Sequence, residues 1–228
     1  MQYEIFGETI PGVTIKLEDG ESVYSQSGQM VWCDDYINMN TGASHGGFFK
    51  SIGRLFTGES LFVVNFEARK DMAEVTFASS FPGEILAVEI SGGDEIIVEK
   101  SAFLCAEQSI ETSVAFTKKI SAGLFGGEGF ILQKISGDGT VFLEVAGNIV
   151  EKELDDGEIL RVDTGNVVGF ESTVSYEVEM VRGIKNMIFG GEGVFLTKLQ
   201  GPGRVWLQTA TMQNIAERIV PFIPTPNQ

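Results

Sequence analysis

The chain has 228 residues, of which 43% are hydrophobic and 10% aromatic, so it can bury a large core. Its 32 acidic and 16 basic residues give a net charge of −16, which argues against a general nucleic-acid-binding protein because this charge repels phosphate. A single histidine and two cysteines, Cys33 and Cys105, exclude a multi-histidine metal site and a C-x-x-C motif. We expect two buried thiols in a reducing cytoplasm.

Three similar units follow one another along the chain. The first predicted strand, at residues 12–17, ends in an acidic turn at 18–21, after which a second strand begins. Strands at 83–90 and 147–154 are followed by an acidic turn and a further strand in the same order. This recurrence predicts internal repeats at approximately 12–82, 83–146 and 147–216 within a single domain of residues 1–228, with an extended tail at 217–228.

A glycine-rich motif marks the middle of each unit. Leu-Phe-Gly-Gly-Glu-Gly-Phe at 124–130 recurs as Ile-Phe-Gly-Gly-Glu-Gly-Val at 188–194, and a looser copy stands at 55–61. Each copy leads into an apolar strand, a turn and another strand, which is typical of antiparallel β structure. The P-loop pattern is absent, so we interpret the glycines as tight turns that need positive φ.

The end of the chain differs from the three units. Its spacing predicts a short C-terminal helix at 209–219, whose apolar face is formed by Met212, Ile215, Ala216 and Ile219. A free sheet edge invites aggregation. We therefore also predict that the strand at 13–17 closes a ring by pairing beside the last strand of the third unit.

The units, each with a basic segment, a Phe-x-Gly-Glu sequence and an apolar strand, resemble the bacterial relatives of the mitochondrial altered-inheritance-of-mitochondria protein number twenty-four. The marks are strongest at 125–129 and 189–193, whereas the first copy departs from them at Thr57 and Ser60. The resemblance covers residues 10–216. It implies a three-fold pseudo-symmetric β-sandwich or double-stranded β-helix, like that of the tryptophan RNA-binding attenuator protein. It implies no activity, although the mitochondrial member is linked to inner-membrane organisation.

One acidic residue occupies the same place in each glycine motif, at Glu59, Glu128 and Glu192. If these residues lie near a pseudo-three-fold axis, their carboxylates can bind a hard cation such as Ca²⁺ or Mg²⁺. In the alternative interpretation each carboxylate accepts backbone N–H bonds within its own turn. Both interpretations stay open; we expect no cofactor and assign no catalytic residue.

The segments before the glycine motifs carry six of the sixteen basic residues, at equivalent places. These are Lys50 and Arg54, Lys118 and Lys119, and Arg182 and Lys185, with Phe48 and Phe49 as apolar neighbours in the first unit. In one interpretation they pair with the many surface carboxylates. In the other, symmetry gathers them into one basic and apolar face that meets an anionic membrane surface or a protein partner.

These patterns predict an all-β protein of three repeats that acts as a non-enzymatic scaffold or binding module, alone or as a homo-oligomer. We expect it in the cytoplasm or at the periphery of a membrane. The alternative is a small-molecule-binding β-barrel-like protein with an enzymatic activity, which needs a deep pocket lined by polar groups. The predicted core includes Phe56, Phe62, Phe125, Phe130, Phe142, Phe189, Phe195 and Trp206.

Overall fold

A computed structural model of the protein describes residues 1–41, 63–118, 129–180 and 195–222. In this part of the chain the strands of the N-terminal half are β1 (Gln2–Phe6), β2 (Gly12–Leu17), β3 (Ser22–Gln26), β4 (Met30–Cys33), β5 (Ile37–Thr41), β6 (Val63–Ala68), β7 (Ala73–Ala78), β8 (Gly83–Ile90), β9 (Ile96–Glu99) and β10 (Phe103–Glu107). The C-terminal half continues with β11 (Ile110–Lys118), β12 (Phe130–Gly137), β13 (Gly139–Ala146), β14 (Ile149–Leu154), β15 (Ile159–Asp163), β16 (Val167–Glu171), β17 (Ser175–Met180), β18 (Phe195–Gln200) and β19 (Gly203–Gln208), followed by one α-helix, α1 (Met212–Ile219).

The strands form four antiparallel sheets. Sheet I has the order β1-β2-β7-β4, and sheet II has the order β5-β6-β3-β10-β13-β8. Sheet III has the order β11-β12-β9-β16-β19-β14, and sheet IV has the order β15-β18-β17. The all-β prediction is therefore confirmed. The predicted strands at 12–17 and 83–90 coincide with β2 and β8.

The same pairing order recurs along the chain. In each of three successive groups of six strands, the first strand pairs with the sixth and the sixth pairs with the third. The fourth strand pairs with the fifth, and the fifth pairs with the second. The groups begin at β2, β8 and β14, where the sequence predicts its units. Their three-fold symmetric arrangement, and the likeness to the attenuator-protein fold, stay predictions.

The predicted closure of a ring through β2 is wrong. Gly12–Leu17 pairs with β7 on one side and with β1 on the other, from Gln2↔Lys16 to Phe6↔Gly12. The N-terminal strand, which the sequence patterns did not reveal, therefore occupies the edge that the closure needed. The last strand of the third unit, β19, already lies between β14 and β16.

Three apolar clusters fill the spaces between successive sheets, which gives a sandwich-like stack. Val13 and Phe142 belong to the cluster between sheets I and II, and Val141 and Trp206 to the one between sheets II and III. The third cluster joins sheets III and IV. Four predicted core aromatics are confirmed as buried, namely Phe130, Phe142, Phe195 and Trp206. The other four, Phe56, Phe62, Phe125 and Phe189, lie outside the described residues.

The two cysteines differ in their surroundings. Cys105 is buried in the centre of sheet II, as predicted, and its thiol is free. Cys33 is only half-buried, so the prediction of two buried thiols is wrong for this residue. The reason is the place of β4, which is the outermost strand of sheet I and has β7 on one side only.

Candidate functional site

The three strand ends that flank the predicted basic segments lie at one rim of the molecule. In sheet II, the hairpin of β5 and β6 opens after the pair Thr41↔Val64. In sheet III, the hairpin of β11 and β12 opens at Lys118↔Phe130, and in sheet IV that of β17 and β18 opens at Met180↔Phe195. The chain between these ends, at 42–62, 119–129 and 181–194, contains the glycine motifs.

Short turns show that the three hairpin ends share this rim. The open end of β12 lies beside the end of β9 through Leu132↔Glu99, and Lys100–Ala102 then leads directly to the start of β10 in sheet II. In the same way Leu196↔Asp163 marks the open end in sheet IV. Thr164–Asn166 leads from there to the start of β16 in sheet III. Because each link is three residues long, the ends of sheets II, III and IV are neighbours. We call this end of the molecule the connection rim.

Of the predicted site residues, only Lys118 is among the described residues. Lys118 is the last residue of β11, so its backbone position at the rim is shown. The remaining basic and aromatic candidates lie outside the described residues, namely Phe48, Phe49, Lys50, Arg54, Lys119, Arg182 and Lys185. The three candidate metal ligands, Glu59, Glu128 and Glu192, lie there too. Gly129, at the end of the second glycine motif, has φ of 86°, which agrees with the predicted positive-φ turn.

The opposite rim is strongly acidic. Its nine turns contain twelve acidic residues and two basic ones, Arg69 and Lys70. The described turns and connections of the connection rim contain one acidic residue, Glu8, and one basic residue, Lys100. The turns of this acidic rim are at 18–21, 34–36, 69–72, 91–95, 108–109, 138, 155–158, 172–174 and 201–202. The charge of the molecule is therefore unevenly distributed between its two ends.

The acidic turns are built by the residues that the sequence pattern singled out. Glu21 accepts a hydrogen bond of 2.9 Å from the backbone amide of Glu18, and Glu158 accepts one of the same length from Asp155. Gly20 and Gly157 have φ of 84° and 75°, values that favour glycine. The acidic side chains of these two turns thus satisfy backbone donors of the turn itself.

A buried carboxylate holds the connection rim together near β7 and β8. Glu144 of β13 accepts hydrogen bonds from the Ser80 amide at 2.8 Å and from Ser79 Oγ at 3.1 Å. Gln29 Nε2 donates a third, at 3.3 Å. Burial raises the pKa of the Glu144 carboxyl, and these hydrogen bonds offset part of the rise. Glu144 therefore has a structural role, since its oxygens are engaged by two turns.

The three-residue turns are capped in a similar way. Glu99 accepts hydrogen bonds from the backbone amide and from the hydroxyl of Ser101. The hydrogen bond from the backbone amide is 2.8 Å long. Asp163 Oδ1 accepts a bond of 3.0 Å from the Gly165 amide. Burial raises the pKa of Glu99, against the effect of the Ser101 bonds and of the Lys100 charge. Both acidic side chains therefore act as caps of turns.

Helix α1 starts from the same rim. The preceding strand ends at Gln208, opposite Ile149, and the Ala210 amide donates a bond of 3.1 Å to the Ala146 carbonyl. Thr211 caps the helix by accepting a hydrogen bond from the Asn214 amide at 3.1 Å. The helix prediction is confirmed, but no residue of α1 is buried. Its apolar side includes Met212 and Ile219, each 52% exposed, and the following turn ends in Phe222.

Neither a metal centre nor a membrane-spanning helix is found in the described ranges. Within residues 1–41, 63–118, 129–180 and 195–222, no three His, Cys, Asp or Glu side chains are grouped so that they could hold a metal ion. Over the same ranges, no helix is long and apolar enough to span a bilayer. The cation site predicted from Glu59, Glu128 and Glu192 stays a prediction, because these residues lie outside those ranges.

Known proteins are similar to this chain in sequence and in fold. The family model described as Mitochondrial biogenesis AIM24 matches residues 3–210. The chain is 30% identical over 222 residues to the uncharacterized protein M6_Spy0233 of Streptococcus pyogenes serotype M6, and the match covers 94% of this chain and 88% of that protein. The crystal structure of protein SPYM3_0169 from Streptococcus pyogenes is similar with a TM-score of 0.78 and 27% identity, over 97% of this chain and 99% of that one. The resemblance carried by the glycine motifs is thus confirmed, and the chain belongs to the mitochondrial biogenesis AIM24 family.

Proposed function

We propose that the protein is a non-enzymatic binding module that attaches peripherally to an anionic membrane surface through its connection rim. The observation that carries this proposal is the common placement of the three hairpin ends, Thr41↔Val64, Lys118↔Phe130 and Met180↔Phe195. The connections that leave these ends contain the three basic segments of the sequence. A membrane is a surface that all three segments can contact at once.

The charge distribution supports an oriented attachment. Residues 42–62, 118–128 and 181–194 contain six basic and three acidic residues, a balance of +3 in a chain of net charge −16. The remainder therefore carries −19, and the acidic rim lies at the other end of the strands. An anionic surface attracts the connection rim and repels the acidic rim, and this difference favours one orientation.

Apolar residues in the same segments favour a lipid surface over a purely electrostatic partner. Phe48 and Phe49 stand beside Lys50 in the first connection. Interleaved aromatic and basic residues suit the boundary between headgroups and acyl chains, where the apolar side chain is buried and the charge stays in contact with phosphate. The exposed apolar side of α1, which starts from the same rim, offers further contact area.

The non-enzymatic character is part of the proposal. It is supported by the way in which the buried carboxylates of the rim are used. Glu99 and Glu144 each accept hydrogen bonds from residues of neighbouring turns, as expected of groups that fix a fold. Their hydrogen-bond partners are backbone amides, serine hydroxyls and the Gln29 side-chain amide of these turns.

Co-sedimentation of the full chain with vesicles tests the proposal. We expect binding to phosphatidylserine-containing phosphatidylcholine vesicles at low salt, little binding to phosphatidylcholine alone, and release at high salt. The Lys118→Glu/Lys119→Glu variant should bind at least about 30-fold more weakly, because each basic residue near an anionic surface contributes about 1 kcal/mol. Absence of wild-type binding at low salt would overturn the proposal.

The chain offers a matched control on the acidic rim. Arg69→Glu/Lys70→Glu changes the net charge by the same amount, at a turn far from the hairpin ends. This variant should bind vesicles nearly as well as the wild type. Equal weakening of both variants would show that net charge alone governs binding, which contradicts attachment through the connection rim. The Phe48→Ser/Phe49→Ser variant should weaken binding without changing its dependence on salt.

A further inference from the structure

Two joints connect successive groups of strands, and both have the same register. In sheet II, β10 pairs with β3 through Cys105↔Ser25, Ala106↔Tyr24 and Glu107↔Val23. In sheet III, β16 pairs with β9 through Gly169↔Val98, Phe170↔Ile97 and Glu171↔Ile96. A backbone hydrogen bond extends each joint by one residue. The Gln108 amide donates to the Ser22 carbonyl at 3.2 Å, and the Ser172 amide donates to the Glu95 carbonyl at 3.0 Å.

The positions at these two joints correspond residue by residue. Strands β10 and β16 have a register shift after their first residue, at Phe103/Cys105 and Val167/Gly169. Strands β3 and β9 end at Gln26 and Glu99, and three residues separate each of them from the strand that follows. Each joint therefore pairs the third strand of one group with the second strand of the preceding group.

One strand of each kind is left without such a partner in the described part of the chain. Strand β4 has the same register shift, at Met30/Trp32, but among the described strands it pairs with β7 alone. Strand β15 ends at Asp163 and is also separated from the next strand by three residues, but among the described strands it pairs with β18 alone. In both joints, the third strand of one group pairs with the second strand of another group. Among the described strands, β4 is a third strand without such a partner, and β15 is a second strand without one.

Apolar side chains on the unpaired edges of β4 and β15 are exposed to solvent. Val31 of β4 is 51% exposed, whereas Leu104 and Val168, at the corresponding place in β10 and β16, are fully buried. Trp32 is 52% exposed and Ile159, at the start of β15, is 50% exposed. Natural edge strands usually carry charges or proline that prevent further pairing. Strand β15 carries Arg161 and Asp163, but the large apolar residues Val31 and Trp32 of β4 and Ile159 of β15 fit strands that are covered by another strand.

We propose that β4 of one molecule pairs antiparallel with β15 of a second copy of this chain, which forms a third joint of the same kind between molecules. Transfer of the register places Trp32 opposite Val162, Cys33 opposite Arg161, and Asp34 opposite Leu160. Each copy has one edge of each kind, so the contact is head-to-tail and generates a closed ring or an open chain of copies. Antiparallel pairing keeps every connection rim on the same side of the assembly.

A disulfide across the joint tests this register. Directly opposed residues of antiparallel strands have Cβ atoms about 4.5–5.5 Å apart, close enough for a disulfide after a small adjustment. The Arg161→Cys variant should therefore form covalent multimers with the native Cys33 under mild oxidation, and reduction should reverse them. Glu177→Cys, on the exposed edge of β17 in the same sheet, is the matched control and should stay uncrosslinked.

Two results would overturn the proposal. A disulfide within a single chain would show that β4 and β15 close upon each other in one molecule. Failure of Arg161→Cys to crosslink, together with a monomeric wild type at every concentration in sedimentation velocity, would show that the edges stay unpaired. Adding Cys33→Ser must abolish the multimers, because Cys105 is buried.

Charge on the edge provides a second measurement. Val31→Lys should convert the wild-type assembly to monomers in sedimentation velocity, because a lysine on an edge strand opposes pairing. Met72→Lys, at a 47%-exposed turn residue away from both edges, should leave the assembly unchanged. If Val31→Lys fails to fold by circular dichroism, Ile159→Lys tests the same contact from the other edge. Vesicle binding by a monomeric variant separates this proposal from membrane attachment, since either can fail alone.

Discussion

Glu144 accepts a hydrogen bond of 2.8 Å from the backbone amide of Ser80, and this bond ties β13 to the turn between β7 and β8. Glu144→Ala leaves that amide and the Ser79 hydroxyl with one partner fewer in a largely buried site. Since an unsatisfied buried polar group costs about 1–3 kcal/mol, we expect the free energy of unfolding to fall by about 2–4 kcal/mol. Urea denaturation measures the change. Glu89→Ala, at an exposed residue of β8, is the control and should change it by less than about 0.5 kcal/mol.

The pH dependence of stability should report the two buried carboxylates. Burial raises the pKa of Glu99 and of Glu144 above the value of 4.5 in the unfolded chain. The folded state therefore binds more protons, so stability should increase as the pH falls from about 7 to about 5. Urea midpoints across this window should rise in the wild type and rise less in Glu144→Gln. An equal rise in both proteins would contradict a raised pKa of Glu144.

Glu171 should change the pH dependence of stability in the opposite direction, and at lower pH. Burial raises the pKa of this carboxyl, but the backbone and side-chain hydrogen bonds from Arg204 lower it by more, so the net shift is downward. Its stabilising contribution is present above the unfolded pKa and is lost as the pH falls through the folded pKa. Measurements of stability above about pH 5 therefore report the titration of Glu99 and Glu144 separately from that of Glu171.

The aromatic core should be sensitive to truncation at the sheet centres. Phe142 is fully buried, and its ring meets that of Tyr3 edge-on at 4.9 Å between centroids. Phe142→Ala should lower the free energy of unfolding by about 3–5 kcal/mol, because it removes apolar contacts and leaves a cavity. Phe222→Ala provides the same chemical change at a residue that is 85% exposed. The control should unfold at the wild-type urea concentration.

Helix α1 should be dispensable for the folded sheets. None of its residues is buried, although the Thr211 cap before it is. A chain that ends at Thr211 should lose helical circular dichroism and keep a melting temperature within a few degrees of the wild type. A large drop in melting temperature would show that α1 packs on the sheets. The same truncated chain should bind anionic vesicles more weakly if the exposed apolar side of α1 contacts lipid.

The sequence predicts the strands best where turn chemistry and apolar patterning coincide. Glycines and acidic residues at 18–21 and 155–158 bound β2, β3, β14 and β15, and these strands lie where they were expected. Strand β1 was missed, because Gln2–Phe6 is exposed along its length and has no buried face to generate a pattern. Only its pairing with β2 reveals it.

The charge asymmetry could be predicted only in part. The recurrence of basic segments before the glycine motifs is visible in the sequence, but their placement depends on long-range strand order. Sheet III, for example, pairs Leu132 with Glu99 within one group of strands, and Val98 with Gly169 between two groups. No local pattern specifies those partners. The acidic turns were read as turn chemistry, and their assembly at the opposite rim emerges from the topology.

Hydrogen–deuterium exchange on vesicles tests the central claim most directly. Full-length protein is compared free and bound to phosphatidylserine-containing vesicles, with peptides that cover both rims. Attachment through the connection rim predicts slower exchange on vesicles in all three connections, 42–62, 119–128 and 181–194, and unchanged exchange in the acidic turns at 18–21 and 155–158. Slower exchange at the acidic turns, or unchanged exchange in the three connections of vesicle-bound protein, would contradict it.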